Sequence, residues 1–324
     1  MTSGSVPIDP DASAPLSTQS PRQRSQVQWA WGVSAVSALL VLVLLFAGYM
    51  VAHAESPSVR AVDSPLDPVT VTGRQGSQPV VTIAQAVTVQ SAKVRTEYRG
   101  DGREITEDSP VLVALTAFNG SLGENLNPSG APNIILGAAN EDDLGPLLTQ
   151  ILVGSTEGSR IVVARPLENG GTEIDIVDVL YTIAKGEEKE EAEGPLTVTF
   201  DDSGPIVKHK KGKAPSGLFI QILNEGTGPQ VQLSDAVVVQ YLAGTWTDNK
   251  IIASTWSDGS PLMINLADSM PGIRDALVDQ RVGSRLAVTI PADMATGEDT
   301  LFVVVDILGT MPSAHTSAEI DGLQ

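Results

Sequence analysis

Between residues 99 and 308 the sequence repeats itself at a nearly fixed spacing, and this limits the possible folds more than any other feature. Arg99-Gly100-Asp101-Gly102 returns 126 positions later as Glu225-Gly226-Thr227-Gly228, and Val111-Leu112-Val113 returns at the same offset as Val237-Val238-Val239. Gly158-Ser159-Arg160 recurs after 125 positions as Gly283-Ser284-Arg285, and Asp178-Val179-Leu180 after 128 as Asp306-Ile307-Leu308. An offset this steady marks a duplication. Two copies of about 110 residues suit tandem globular domains rather than a solenoid of short repeats.

Each copy reads as β structure with one short helix. Residues 236–242 and 301–308 are continuous apolar runs rich in Val, the pattern of strands covered on both faces. Leu286-Ala287-Val288-Thr289-Ile290 is a third strand, stopped by Pro291. Between them, Ile273, Ala276 and Leu277 stand at helical spacing behind Pro271, which opens a helix without losing a hydrogen bond, and Gly283 follows its end. The expected assembly is α+β: an antiparallel sheet wrapped over one short helix, made twice.

Composition removes several kinds of chemistry. The chain has no cysteine, so thiolate nucleophiles, thiolate metal sites and disulfides are excluded. His53, His209 and His315 lie in a membrane flank, a Lys-rich stretch and a tail, none in a triad or metal-ligand setting, and no cofactor is expected. Acidic residues outnumber basic ones 39 to 20, and the net charge of −19 argues against a nucleic-acid partner. Residues 1–54 add nothing to that excess, since Asp9 and Asp11 balance Arg22 and Arg24.

The N-terminal segment is expected to hold the chain at a membrane. Residues 1–27 are rich in Ser, Pro, Thr and Gln and read as a disordered cytoplasmic tail. Residues 29–52 then carry no charge, enough for about 36 Å of helix. Trp29, Trp31 and Tyr49 mark its ends, and Arg22 and Arg24 precede it. Residues 28–53 therefore read as a transmembrane helix or signal anchor, giving a single-pass protein of the cell membrane with its bulk outside the cytoplasm. Ala52-His53-Ala54 also has the small-x-small form of a cleavage site, and cutting near Ala54 gives a secreted protein instead. Residues 54–77 read as a Pro/Ser/Gly-rich stalk. Residues 187–213, with Glu187-Glu188-Lys189-Glu190-Glu191 and Lys208-His209-Lys210-Lys211, read as a charged solvated linker, and residues 312–324 as a tail. The two copies then occupy 78–186 and 214–311.

The second copy resembles the FKBP family of peptidyl-prolyl isomerases in an ordered series of motifs. Leu218-Phe219-Ile220-Gln221-Ile222-Leu223-Asn224-Glu225-Gly226-Thr227-Gly228 comes first, then Val237-Val238-Val239-Gln240-Tyr241, then Ser260-Pro261-Leu262-Met263-Ile264-Asn265-Leu266. Met270-Pro271-Gly272-Ile273 is similar to the family's helix start. The run from Val282-Gly283-Ser284-Arg285 to Thr289-Ile290-Pro291 is similar to its Val-Gly-x-Arg … Thr-Ile-Pro signature, and Thr300-Leu301-Phe302-Val303 to its last strand. The first copy keeps the same frame more faintly, with Pro146 for Pro271 and Leu148 for Ile273.

The resemblance implies two tandem FKBP-like domains, the first degenerate. It also implies an isomerase that acts on proline-containing polypeptide chains outside the cytoplasm, with a non-catalytic scaffold or chaperone module of the cell envelope as the alternative. In such a site a twisted prolyl amide, less polar than the planar one, is favoured by an apolar surround. The barrier to be lowered is about 18–20 kcal/mol, and only interactions stronger in the twisted state lower it. The resemblance assigns catalysis to Tyr241, the Met270 backbone N–H and Thr296. It assigns substrate binding to Tyr241, Ile252, Ala253, Leu262, Met270, Ile273, Thr296 and Val303. Most of the family's rings are replaced: Ile252-Ala253 stand where it has Phe-Asp, Ile273 where it has tryptophan, and Thr296 where it has tyrosine. A weak enzyme is the expectation, and Leu115 in place of Tyr241 implies an inert first copy.

Overall fold

The computed structural model describes residues 64–190, 193–209 and 213–313. The segment expected to span a membrane, 28–53, lies outside them, as do residues 1–27 and 314–324. Among the described residues no helix is long and apolar enough to cross a membrane.

The chain opens with an antiparallel hairpin of β1 (Val69–Thr72) and β2 (Val80–Ile83). Then come β3 (Lys93–Tyr98), β4 (Pro110–Asn119), β5 (Asn133–Ala138), helix α1 (Glu141–Leu152), β6 (Arg160–Pro166) and β7 (Thr172–Val179). After β8 (Glu187–Glu188), a second hairpin is made by β9 (Leu196–Asp201) and β10 (Gly204–His209). The chain continues through β11 (Phe219–Glu225), β12 (Asp235–Thr245), β13 (Ile251–Ser254), α2 (Thr255–Asp258), β14 (Leu262–Asn265), α3 (Pro271–Leu277), β15 (Arg285–Ile290) and β16 (Leu301–Pro312).

The duplication read in the sequence is one of topology. The first sheet runs β3-β6-β7-β4-β5. The second runs β13-β12-β16-β15-β11-β8 with β14 also on β12, so that β11-β15-β16-β12-β14 repeats the order of the first. All pairings are antiparallel. The repeated motifs meet in space. The Gly100 N–H donates to Ser159 Oγ at 2.9 Å, and the Gly226 N–H donates to Ser284 Oγ at 2.9 Å. A Cβ on Gly226 would lie 2.3 Å from the Val282 carbonyl oxygen, so the crossing admits only glycine.

The period-two pattern of β12 explains where the cores lie. Val237, Val239 and Ala243 pack toward α3 with Ala276 and Leu277, while Val238 and Leu242 face the other way. In the first repeat Val111, Val113 and Leu152 make the matching cluster under α1. The expectation of strands covered on both faces holds, and the structure supplies the second cover: a hairpin lies against the helix-free side of each sheet. Leu66, Val69 and Val71 pack on Val162, Ala164, Ile174 and Ile176 in the first repeat. Leu196 and Val207 pack on Ala287, Phe302 and Val304 in the second. A fully buried side chain such as Leu66 contributes on the order of 2 kcal/mol.

Two sequence expectations are corrected here. The stalk expected over 54–77 is, from residue 64, packed structure that includes β1. The linker expected over 187–213 contains β8, which pairs with Asn224 and Glu225 at the edge of the second sheet, and the whole β9–β10 hairpin. Short strands with two or three alternating apolar residues leave too little periodicity to stand out from Pro, Ser, Gly and charge. Helix α1 is also longer than its counterpart. It breaks at Gly145, at φ 75°, and Pro146 restarts it as Pro271 starts α3.

An Arg–Asp pair crosses the last two strands of each sheet. Arg160 Nε and Nη2 donate to the two carboxylate oxygens of Asp178 at 2.6 and 2.8 Å, and Arg285 does the same to Asp306 at 2.6 and 2.6 Å. Each carboxylate also accepts a backbone N–H from the chain before its sheet, Gly76 on Asp178 and Ala184 on Asp306, both at 2.8 Å. Asp306 is fully buried and the Arg285 side chain is only 14% exposed, so Asp306→Asn leaves a part-buried guanidinium without its carboxylate. We expect a loss of about 3 kcal/mol or more in urea-induced unfolding, with new protease cleavage around residues 184–186. Unchanged stability would show that the pair does not hold this segment.

Candidate functional site

The α3-facing side of the second sheet and the start of α3 enclose a cavity of about 280 Å³. Tyr241 enters it from the middle of β12, Val303 and Val305 from β16, and Ile252 and Ala253 from β13. Met270 and Ile273 close it from the helix start, and Thr296 from the loop between β15 and β16. Seven of the eight residues assigned from sequence are thus brought together. Leu262 is not among them. It is 45% exposed and lines an adjoining, more polar hollow that shares Tyr241, Ile252 and Ala253 as its wall.

Local chemistry fixes these positions. Pro271 occupies the first helical turn, and the Met270 carbonyl accepts from the Ile273 and Arg274 N–H groups, both at 3.0 Å. Met270 itself is extended (φ −56°, ψ 146°), and its N–H makes no hydrogen bond among the described residues. Thr255 Oγ1 clasps the backbone of Tyr241, accepting from its N–H at 2.8 Å and donating to its C=O at 3.3 Å. The Tyr241 hydroxyl has no protein partner among the described residues. Only two residues away from Met270, Gly272 lies flat against β15, where a Cβ would come within 2.2 Å of Ile290 Cγ2.

The cavity is therefore an apolar hollow with few polar handles: the Tyr241 hydroxyl, a free backbone N–H at Met270, and Ser269 and Thr296 at its edge. No carboxylate, histidine or lysine among the described residues lines it. Among the described residues no cluster of His, Cys, Asp or Glu is arranged to hold a metal ion. Such a surface can desolvate an extended chain and orient one carbonyl, and its Tyr241, Ser269 and Thr296 hydroxyls have no carboxylate or imidazole beside them in the lining. Sequence reasoning missed Val239, Ala243, Ile264, Ser269, Leu277, Leu301 and Val305 as lining residues. Alternation along β12 on either side of Tyr241, and the i+4 position from Ile273, carry the signal for three of them.

The first repeat has a cavity of about 260 Å³ in the corresponding place, between its sheet and α1. Leu115, opposite Val177 in the ladder, stands as Tyr241 stands opposite Val305. Two positions before Val177 is Asp175, where the second repeat has Val303, and across the ladder Arg165 stands where it has Ile290.

Residues 228–305 match the family model described as FKBP-type peptidyl-prolyl cis-trans isomerase. The chain is 34% identical over 113 residues to the outer membrane protein MIP of Legionella longbeachae, covering 35% of this chain and 46% of that protein. It is 30% identical over 124 residues to the FKBP-type peptidyl-prolyl cis-trans isomerase FkpA of Escherichia coli K12, with the same coverage of 35% and 46%. The chain thus spans about half the length of the curated relatives it matches. The crystal structure of FkpA from Escherichia coli aligns over 38% of this chain and 54% of its own, at 25% identity and a TM-score of 0.29.

The packing at Gly272 yields a direct test. Gly272→Ala forces α3 off β15 and moves Met270 and Ile273 with it. We expect a stability loss of about 1–3 kcal/mol and altered methyl NMR shifts of Ile273 and Val303; unaltered shifts would mean that the helix tolerates the added methyl.

Proposed function

We propose that the second repeat catalyses cis–trans isomerisation of prolyl peptide bonds in polypeptide chains, as the match of residues 228–305 to that family suggests. The observation that carries the reading is the apolar cavity at the helix start, with the Tyr241 hydroxyl and the Met270 N–H both unengaged. A prolyl ring seated against Ile273, Val303 and Val305 loses water around its amide. Twisting the C–N bond removes amide resonance and reduces the polarity of the carbonyl, so a dry apolar wall favours the twisted state over the planar one. The Met270 N–H is the donor best placed in the backbone to hold a substrate carbonyl, and Tyr241 provides the one ring on which substrate packs. Tyr241, Met270 and Thr296 are the proposed catalytic set, with Ile252, Ala253, Ile273 and Val303 as binding wall and Leu262 outside it.

The reading predicts modest rates. Aromatic contacts contribute about 0.5–1.5 kcal/mol each beyond buried area, and this cavity has one ring. In a protease-coupled or NMR exchange assay on a proline-containing peptide, Tyr241→Phe is expected to lower kcat/KM about fivefold through the lost hydroxyl. Ile273→Trp combined with Ile252→Phe is expected to raise it by about one order of magnitude. A purified chain with no rate above background, and no gain on adding the rings, would end the enzyme reading and leave a binding scaffold.

Residues 28–53 are proposed to anchor the chain, with the repeats outside the cytoplasm. The uncharged run and its flanking Arg22 and Arg24 support this, as does the name of the MIP relative, an outer membrane protein. Mass spectrometry of the mature protein is expected to recover peptides from residues 1–27; a mature N-terminus at Glu55 would overturn the anchor.

A further inference from the structure

The cleft of the first repeat differs from that of the second in kind, not only in the loss of its tyrosine. Its walls are aliphatic, with Leu115 and Val177 from the sheet and Leu147, Leu148 and Ile151 from α1. Into this lining the chain places Asp175, whose side chain is 8% exposed. Asp175 Oδ2 accepts from Arg165 Nε at 2.8 Å, whereas Oδ1 is buried and has no hydrogen-bond partner among the described residues. Arg165 is also paired with Glu173. One guanidinium is thus shared between two carboxylates, and the group as a whole carries a formal charge of −1.

A buried carboxylate oxygen with no donor costs free energy unless something completes it. A valine at this place, as in the second repeat, would carry no such cost. The missing element is a cationic donor at the end of an apolar stem, since the wall leading to Asp175 is aliphatic and the local charge is negative. A lysine side chain has that form: four methylenes that pack on Leu and Ile, and an ammonium with three donors. The net charge of −19 on the whole chain favours the approach of basic segments.

We propose that the first repeat is a second, separate binding site, which takes the lysine side chain of an extended polypeptide between α1 and its sheet, with the ammonium on Asp175. The cationic part rests on Asp175 alone; the polypeptide part rests on the reading of the second cleft. The site holds chains by a basic residue and performs no isomerisation.

The site is also pH-dependent. Burial pushes the Asp175 carboxyl up to about 6, against the lowering effect of Arg165 on the neighbouring strand, and Glu173 on its own strand raises it further. β4 and α1 present Leu115, Leu147, Leu148 and Ile151 to it, without charge. A carboxyl with a raised pKa is neutral below that value, so the preference for a cation is full above pH 7 and fades as pH falls through about 6.

The test is a methyl NMR titration of the full chain with acetylated, amidated Ala-Ala-Lys-Ala-Ala and with the same peptide carrying norleucine for lysine. The lysine peptide is expected to shift Leu148, Ile151 and Val177, to bind at least tenfold more tightly than the norleucine peptide at pH 7.5, and to lose that preference at pH 5. Asp175→Asn is expected to abolish the preference. Equal binding of the two peptides to the unaltered chain overturns the proposal without reference to any variant. Shifts confined to Ile264, Ile273 and Val303, or tighter binding of a glutamate peptide through Arg165, overturn it too. Loss of isomerisation in the second repeat with the lysine preference intact leaves the cationic site standing and removes only the other reading.

Discussion

Each half of this molecule is organised around one ion pair set into its sheet. Arg160 with Asp178, and Arg285 with Asp306, join the sixth strand to the seventh and the fifteenth to the sixteenth, with both carboxylate oxygens engaged in each case. What makes the pair central is the use of the remaining donors and faces. Arg160 also donates to the carbonyls of Gly73 at 2.9 Å and Arg74 at 3.1 Å, in the turn of the first hairpin. Arg285 lies 3.9 Å from the ring centre of Phe200, in the second hairpin. The same charge that ties two strands together therefore also fastens the covering hairpin to the back of the sheet. A buried ion pair contributes little by itself; here its value lies in the partners it gathers.

That arrangement explains the sequence repeats at the level of atoms. Gly-Ser-Arg recurs because the glycine must pass close to another glycine, the serine must accept from it, and the arginine must reach the aspartate of the next strand. The Asp-Val-Leu and Asp-Ile-Leu copies recur because they supply that aspartate. The clefts, by contrast, are free of these duties. They lie on the opposite face of each sheet, and there the two copies have diverged: Tyr241 against Leu115, Val303 against Asp175, Ile290 against Arg165.

Legibility in the sequence followed physical scale. Long apolar runs such as 236–242, and the helix opened by Pro271, were readable because many residues obey one period. The seven cavity residues were readable through the order of motifs that surround them. The hairpins were not, because Val69 and Val71, or Leu196 and Val198, alternate over too few positions to outweigh the Pro, Ser, Gly and charged residues beside them. Leu262 was misplaced because β14 leans on β12 at Val239, two pairings short of Tyr241, which carries its side chain to the neighbouring hollow. The partnerless oxygen of Asp175 was invisible for another reason: a single Asp in a strand has no pattern, and only its burial gives it meaning.

The two sheets also share apolar side chains. Leu112, Ala114, Ile134 and Leu180 from the first repeat lie in one buried cluster with Val238 and Leu308 from the second. Discarding the first copy would therefore lay bare a greasy surface on its sibling, at a cost of several kcal/mol for side chains of this size. A duplicated half that leans on its twin in this way is hard for evolution to delete, whatever becomes of its own cleft. It persists as a wall, and a wall that must be kept in any case is free to acquire a new use on its far side.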